Sequence, residues 1–149
     1  MKKILVAYIS LAGHTRQMAE YIAEGLRVTG ACEVELKSIT AIKTGQDMAG
    51  YDACIFGAPT YHRTMPPVMK SFLFLAKQAH LAGKAGGAFG SYTHSGDAPL
   101  YIFDTMEHVF KMRMTTLGPF KLLEHVVDTP EGLRACQDYG KSVAHLLEP

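Results

Sequence analysis

The stretch from Ile4 to Arg16, with the sequence ILVAYISLAGHTR, decides the fold of this chain. Residues Ile4–Ile9 form an apolar run long enough for a buried strand, and the small residues of Ser10–Gly13 allow a sharp turn. Apolar residues then recur at helical spacing, at Met18, Ala19, Ile22, Ala23 and Leu26. A strand, a tight loop and a helix in this order often form an anion site, because the first amides of a helix have no partner within it.

The segment Ser10–Arg16 offers several donors to an anion. Ser10 and Thr15 carry hydroxyl groups, Gly13 allows close approach of the backbone, and Arg16 adds positive charge. The segment matches neither the Walker pattern nor the dinucleotide pattern of glycines. Its spacing S-x-x-G-x-T suits a single terminal phosphate group, and the alternative interpretation is an ordinary capped helix after a strand.

Composition sets limits on the class of protein. The 149 residues predict a single domain over residues 1–149. Fifteen basic and fourteen acidic residues give a net charge of +1, which argues against a nucleic-acid partner. No apolar run reaches membrane-spanning length and no signal peptide is recognised, so we expect a cytoplasmic protein without a membrane partner. The odd and widely spaced cysteines, Cys32, Cys54 and Cys136, indicate reduced thiols that act as small buried apolar side chains.

Four further strands alternate with helices along the chain. Glu33–Lys37 alternates polar and apolar residues and predicts an edge strand, whereas the apolar run Ala53–Gly57 predicts a central one. Ala85–Gly90 predicts a strand of small residues, against which either a helix or a flat ligand packs closely. Phe120–Val127 predicts the last strand. This α/β pattern indicates a doubly wound, five-stranded parallel sheet of order 2-1-3-4-5, in a three-layer α/β/α arrangement.

In such a sheet the ligand site lies beyond the carboxyl ends of the strands, where the strand order reverses. Three polar segments follow strands at that end, and they are Ser10–Arg16, Pro59–Thr64 and Ser91–Asp97. We therefore expect these segments to converge on one crevice between the first and third strands.

These three segments resemble the cofactor loops of the flavodoxin family. Ser10–Thr15 resembles the loop that binds the FMN phosphate, Ala58–Tyr61 resembles the first isoalloxazine loop, and Gly90–Asp97 resembles the second. The last two are especially similar to the flavodoxin domains of flavodiiron proteins. The resemblance covers essentially the whole chain and is to flavodoxins of the short-chain type. It implies FMN as the cofactor, with no metal and no acid–base catalytic residue. The residues assigned to FMN are Ser10, Leu11, Ala12, Gly13, His14, Thr15, Arg16, Pro59, Thr60, Tyr61, His62, Arg63, Ser91, Tyr92, Thr93, His94, Gly96 and Asp97.

The resemblance suggests roles for several of these side chains. Tyr92 or Tyr61 stacks on the flavin ring, with Tyr92 preferred, and core packing is the alternative for either tyrosine. Thr60 reaches the polar edge of the flavin. Asp97 either binds the pyrimidine edge through its amide or caps the following helix. Because Thr60–Arg63 contains no glycine, a turn with positive φ in this segment is predicted to be strained.

The chain departs from the family pattern in three respects. Ala12 stands where the family often has a hydroxyl group, so phosphate binding rests more on Arg16 and on backbone amides. The chain has no tryptophan to stack on the flavin. Typical flavodoxins are acidic, whereas this chain is nearly neutral and has His62, Arg63 and His94 beside the expected flavin. The alternative interpretation of the two histidines is that they are exposed loop residues without a role.

The leading function is that of an electron carrier between redox partner proteins, acting as a monomer or weak homodimer. The alternative is an FMN-dependent NAD(P)H or quinone oxidoreductase, in which His62 or His94 assists the substrate. A phosphoacceptor receiver domain of the same topology is disfavoured, because Ser10 and Gly57 stand where its carboxylates are needed. A non-redox binding module that has kept the fold remains a fourth interpretation.

Overall fold

A computed structural model describes residues 1–148 of the chain. Its strands are β1 (Lys2–Tyr8), β2 (Cys32–Ser38), β3 (Ala53–Gly57), β4 (Ala85–Tyr92), β5 (Arg113–Met114) and β6 (Phe120–Leu123). Its helices are α1 (His14–Val28), α2 (Pro67–Lys77), α3 (Asp97–Asp104), α4 (Glu124–Val127) and α5 (Pro130–His145). Short 3₁₀ turns lie at Ile39–Ala41 and Gly45–Met48, and a π-helical turn at Thr105–Val109 continues α3. Within residues 1–148, none of these helices combines the length and the apolar character needed to cross a bilayer.

The sheet confirms the predicted strand order. The strands lie in the order β2-β1-β3-β4-β5, with β6 also paired to β4, and every pair is parallel. All five residues of β3 are buried, whereas no residue of the edge strand β2 is fully buried. The apolar run and the alternating run in the sequence therefore correctly distinguished the central strand from the edge strand.

The fifth strand position differs from the prediction. The predicted strand over 120–127 ends at Leu123, and Glu124–Val127 is the short helix α4. Two short strands lie beside β4 where one was predicted, because β5 pairs with the start of β4 and β6 pairs with its end. Between them residues 116–119 leave the ladder, after the amide of Thr115 has donated to the carbonyl oxygen of Gly86 at 3.0 Å; Gly118 has φ +76°, and the proline that follows has no amide to donate.

Two helical layers cover the sheet. Successive side chains of a strand point to opposite faces, so Ile4 and Val6 pack with α1 and α5, whereas Leu5 and Ala7 lie in the cluster beneath α2 and α3. Each face of β1 is therefore buried, as the central strands of a parallel sheet require.

Tyr139 of α5 fills the gap in the fifth strand position. Its hydroxyl accepts a hydrogen bond from the amide of Ala88 at 3.0 Å, and lies 3.0 Å from the carbonyl oxygen of Ala88 and 2.7 Å from that of Gly118. Its ring stacks on Phe120 with a centroid distance of 4.9 Å. Burial raises the pKa of Tyr139, so the hydroxyl keeps its proton and can donate to one of the two carbonyls. The side chain thus provides β4 with the hydrogen bonds that an unbroken fifth strand would supply.

The glycines of β4 are explained by packing. A Cβ added at Gly86 would lie 2.8 Å from the sulfur of Met114, and one at Gly87 would lie 3.1 Å from the ring of Tyr139. At Gly90 it would overlap the carbonyl oxygen of Ala58, the residue that follows β3. Of the two interpretations of this strand, close packing by protein is therefore correct, and no flat ligand is needed to account for its composition.

The cysteines fall into two environments. Cys54 and Cys136 are buried, and burial raises the pKa of each thiol to about 12. The prediction of a buried side chain is wrong for Cys32, which is only half-buried because it begins the edge strand β2. The three thiols should therefore differ in reactivity, since the thiolate is the nucleophilic form.

We expect one thiol per chain to react with Ellman's reagent in the native protein under mildly alkaline conditions. The other two thiols should react only after unfolding, because burial keeps them protonated and inaccessible. Measuring the released thionitrobenzoate with and without denaturant checks this. The variant Cys32→Ser serves as the control, and a fast-reacting thiol in that native variant would contradict the assignment.

Candidate functional site

The loop between β1 and α1 is closed by Ser10. Its hydroxyl oxygen accepts hydrogen bonds from the amides of Gly13 at 3.1 Å and Arg16 at 3.2 Å. Gly13 has φ +92°, a left-handed conformation in which a side chain would be strained. Ser10 therefore shapes the loop through its oxygen, while its own proton remains available to a ligand.

From Leu11 to Thr15, four backbone amides have no acceptor among residues 1–148. They belong to Leu11, Ala12, His14 and Thr15. They surround the amino end of a 15-residue helix, where the dipole is positive. The guanidinium of Arg16 lies nearby but is bonded to Glu20 at 3.3 Å. A cluster of donors without acceptors fits a phosphate group, and it fits one that is bound more by amides than by side-chain charge.

The hydroxyl of Thr15, predicted as a donor to the anion, is buried and bonded within the protein. It is 1% exposed, and its hydroxyl lies 2.8 Å from that of Ser91, which is also 1% exposed. The two hydroxyls share one hydrogen bond, so only one proton of the pair is left for another acceptor. This contact joins α1 to β4 across 76 positions of sequence, and no local pattern indicates it.

Thr60 joins the second and third predicted segments. Its amide donates to the carbonyl oxygen of Ser91 at 3.1 Å, and its hydroxyl oxygen accepts from the amide of Ala98 at 3.0 Å. The hydroxyl thereby caps α3, which has Gly96 at its N-cap and no cap from its own segment. The interpretation of Asp97 as the cap is therefore wrong, because the cap comes from a different loop.

The segment Tyr61–Thr64 forms a tight turn. The amide of each terminal residue donates to the carbonyl oxygen of the other, at 2.6 and 3.0 Å. The two central residues, His62 and Arg63, have φ +49° and +63°, the signs that a type I′ turn requires. The sequence predicted strain here for want of glycine, and the structure shows that the chain adopts this conformation nonetheless. Each such residue costs on the order of 1 kcal/mol, which the surrounding hydrogen bonds offset.

A polar cleft of about 320 Å³ separates this turn from the loop after β4. Its lining residues are Thr60, His62, Arg63, Thr93, His94 and Ser95. No carboxylate lines it, and within residues 1–148 no carboxylate oxygen lies within 4.0 Å of a side-chain nitrogen of His62, Arg63 or His94. The cleft therefore presents positive charge and hydroxyl groups.

In the chain, Tyr61 and Tyr92 are each neighbours of residues that line the cleft. Tyr61 is 52% exposed, and its ring meets that of His62 edge-on at 4.4 Å. Tyr92 is half-buried at the end of β4, and the ammonium of Lys121 lies 5.4 Å from its ring centroid. Lys121 was not predicted, because a lysine within a strand gives no sign of the ring it will cover. The preference for Tyr92 as the stacking ring stays a prediction.

Glu124 is a second residue that the sequence did not indicate. Its carboxylate lies 3.7 Å from Nδ1 of His14, a buried nitrogen with no hydrogen-bond partner among residues 1–148. The sequence placed Glu124 inside a strand, and the short helix α4 brings it to the anion loop instead. Protonation of His14 would turn this contact into an ion pair.

The predicted site residues divide by exposure. The exposed ones are Leu11, Ala12, Gly13, Arg16, Tyr61, His62, Arg63, Thr93 and His94. The half-buried ones are Ser10, His14, Thr60, Tyr92 and Asp97, and the buried ones are Thr15, Pro59, Ser91 and Gly96. The structure thus brings the three segments together, with the buried members holding the loops and the exposed members open to solvent.

Comparison with known proteins places this arrangement in a family. The flavodoxin domain model matches residues 5–120. An NAD(P)H dehydrogenase (quinone) of Cupriavidus metallidurans is 32% identical, over 79% of this chain and 71% of that protein. A flavodoxin from the domain Archaea superposes with a TM-score of 0.89 at 28% identity, over 97% of this chain and 98% of that one. The rubredoxin oxygen:oxidoreductase of Desulfovibrio gigas superposes with a TM-score of 0.85 at 25% identity, over 99% of this chain and 36% of that one. The residues matched by the flavodoxin domain model include all three loops around the crevice. The chain therefore belongs to the flavodoxin domain family.

Proposed function

We propose that this chain binds FMN and carries electrons between redox partner proteins. The observation that supports this most directly is the group of four amides without acceptors at the amino end of α1, in a loop that Thr15, Ser91 and Thr60 connect to the two segments lining the polar cleft. FMN unites a phosphate with a flat aromatic ring, and both halves of the site suit it. When bound, FMN supplies the electron-transfer chemistry, and the protein supplies binding and electrostatic tuning.

In this proposal the anion loop binds the phosphate. The amides of Leu11, Ala12, His14 and Thr15 donate to it, and the free proton of Ser10 adds a further donor. The dipole of α1 favours its negative charge. These donors are fixed in place before binding, so little ordering of the loop opposes association.

The remaining residues hold and flank the ring. Tyr61 and Tyr92 provide aromatic surface that excludes water from one side of the flavin. Thr60 fixes the spacing between the two ring loops, because it bonds both Ser91 and Ala98. None of these side chains has to transfer a proton for electrons to pass.

A second candidate function is that of an FMN-dependent NAD(P)H or quinone oxidoreductase. The name of the Cupriavidus relative favours it, and so does the positive cleft formed by His62, Arg63 and His94. A guanidinium and two imidazoles suit an anionic or hydrogen-bonding substrate beside the flavin.

Two measurements on the purified protein decide between these functions. Titration with FMN should give a stoichiometric complex with perturbed visible absorbance and quenched flavin fluorescence. A colourless protein that leaves added FMN unchanged would refute both candidates and favour a non-redox module. Rapid oxidation of NAD(P)H with a quinone by the FMN complex, reduced in His62→Ala and His94→Ala, would select the second candidate.

Arg63 should raise the potential for adding the second electron to bound FMN. It is exposed in the cleft and lies within 4.0 Å of no carboxylate among residues 1–148, so its charge stabilises a reduced, anionic flavin. The variant Arg63→Glu should lower this potential by an amount on the order of tens of millivolts at low salt, and less at high salt. A redox titration followed by absorbance at two salt concentrations checks this. An unchanged potential in Arg63→Glu would show that the guanidinium does not act on the ring.

A further inference from the structure

Two fixed positive charges at the carboxyl end of the sheet, on Arg63 and Lys121, have no carboxylate partner among residues 1–148. Arg63 lines the cleft, and Lys121 lies over the ring of Tyr92 with its methylene groups against Gly96. Among residues 1–148, no carboxylate oxygen lies within 4.0 Å of either side-chain charge, whereas Arg16 at the same end of the sheet is paired with an acidic residue. An unpaired surface charge is available to attract a partner of opposite sign.

The acidic residues nearest this face do not cancel that charge. Glu124 faces His14 at 3.7 Å and is directed to the anion loop. Asp97 shares a recess of about 150 Å³ with Lys121, but its carboxylate oxygens lie more than 4.0 Å from the ammonium and form no ion pair with it. The cleft itself contains Arg63 and two imidazoles and no carboxylate, so its rim is the positive part of the face.

Exposed apolar side chains border these charges. Tyr61 is 52% exposed beside Arg63, and Leu100 is 44% exposed in the recess that contains Lys121. A small anion requires charge and hydrogen-bond donors but gains nothing from apolar surface. Apolar and aromatic groups mixed with basic groups are characteristic of surfaces that bind proteins.

We propose that this cationic face, formed by Tyr61, Arg63, His94, Leu100 and Lys121, docks an acidic redox protein over the cleft. This inference rests on the proposed function, because such a partner would exchange electrons with FMN bound in the crevice. Positive charge on the rim steers an acidic partner and sets its orientation, while the apolar groups supply contact area. The charge of the face selects against basic partners, since like charges oppose their approach.

The experiment uses the FMN-loaded chain, with loading verified by absorbance. Zinc-substituted rubredoxin, a small diamagnetic acidic protein, is titrated into the isotope-labelled chain, and amide shifts are followed by NMR at low and high salt. The shifts should cluster at Tyr61–Thr64, Thr93–Gly96 and Lys121, and the affinity should fall as salt rises. Arg63→Glu and Lys121→Glu should each weaken binding by about fivefold or more.

Lys141→Glu is the matched control. It makes the same change in net charge but lies on α5, lining a cavity with Lys2 away from the cleft, so it should leave the affinity nearly unchanged. If Lys141→Glu and Lys121→Glu weaken rubredoxin binding equally, the proposal is overturned. It is also overturned if reduced cytochrome c, a basic protein, binds more tightly than rubredoxin. Shifts induced by ferrocyanide but not by rubredoxin would identify a small-anion site and overturn it as well. An FMN-loaded protein that fails to dock refutes only this inference, whereas failure to load FMN refutes the proposed function together with it.

Discussion

Riboflavin should bind this protein about a thousandfold more weakly than FMN. The two ligands differ in the phosphate, which we place at the four amides without acceptors at the start of α1. Hydrogen bonds to a charged group contribute roughly 1.5–3 kcal/mol each, so the loss of two or three of them is worth on the order of 4 kcal/mol. Titrations of the ligand-free chain with each flavin, followed by fluorescence, measure the difference.

The variant Ser10→Ala locates the effect in the anion loop. It removes the acceptor for the amides of Gly13 and Arg16 and also a free hydroxyl proton. FMN affinity should fall by about 1–2 kcal/mol, whereas riboflavin affinity should stay nearly constant. Equal affinities of the wild-type chain for FMN and riboflavin, or a parallel loss of both in Ser10→Ala, would show that the phosphate lies elsewhere.

Replacement of Tyr139 by phenylalanine should destabilise the fold by about 3 kcal/mol. The ring can keep its place against Phe120, but the amide of Ala88 loses its acceptor and one of the two carbonyl groups near the hydroxyl loses a donor. A buried polar group left without a partner costs roughly 1–3 kcal/mol. For a chain of this length, the loss should lower the melting temperature by roughly 5–10 °C.

The matched control is Tyr101→Phe, which removes the same hydroxyl from a ring that is 45% exposed on α3. It should change stability by no more than about 0.5 kcal/mol. Urea unfolding followed by circular dichroism compares the two variants with the wild-type chain. If Tyr139→Phe unfolds at the same urea concentration as Tyr101→Phe, the hydroxyl does not replace the missing strand.

The sequence correctly predicted the helical layers and the strand order because both follow from local patterns. The apolar run Ala53–Gly57 indicates a strand buried on both faces, and the alternating run Glu33–Lys37 indicates a strand with one solvent-exposed face. At the start of α5, a threonine followed by a proline is the local pattern typical of a helix start, and the hydroxyl of Thr129 caps the helix by accepting from the amide of Gly132. Each of these signals lies within a few residues of the structure that it predicts.

The same local reasoning failed at the fifth strand position, and it gave no sign that the strained turn at His62 and Arg63 would form. Residues 120–127 are apolar enough for a strand, but α4 begins at Glu124 and buries Val127 in the core. His62 and Arg63 adopt positive φ although neither is glycine. In both places tertiary packing and hydrogen bonds outweigh the local preference of the chain, which propensity cannot reveal.

What the sequence by itself determined is the set of elements, their order in the sheet, and the end of the sheet at which the three polar loops emerge. Only the tertiary structure decided how those loops are held. The hydroxyls of Thr15 and Ser91 bond across the sheet, Thr60 caps a helix from another loop, and Lys121 covers Tyr92. Periodicity and capping act between neighbours in the chain, whereas these contacts join residues 29 to 76 positions apart and depend on the register of packed strands.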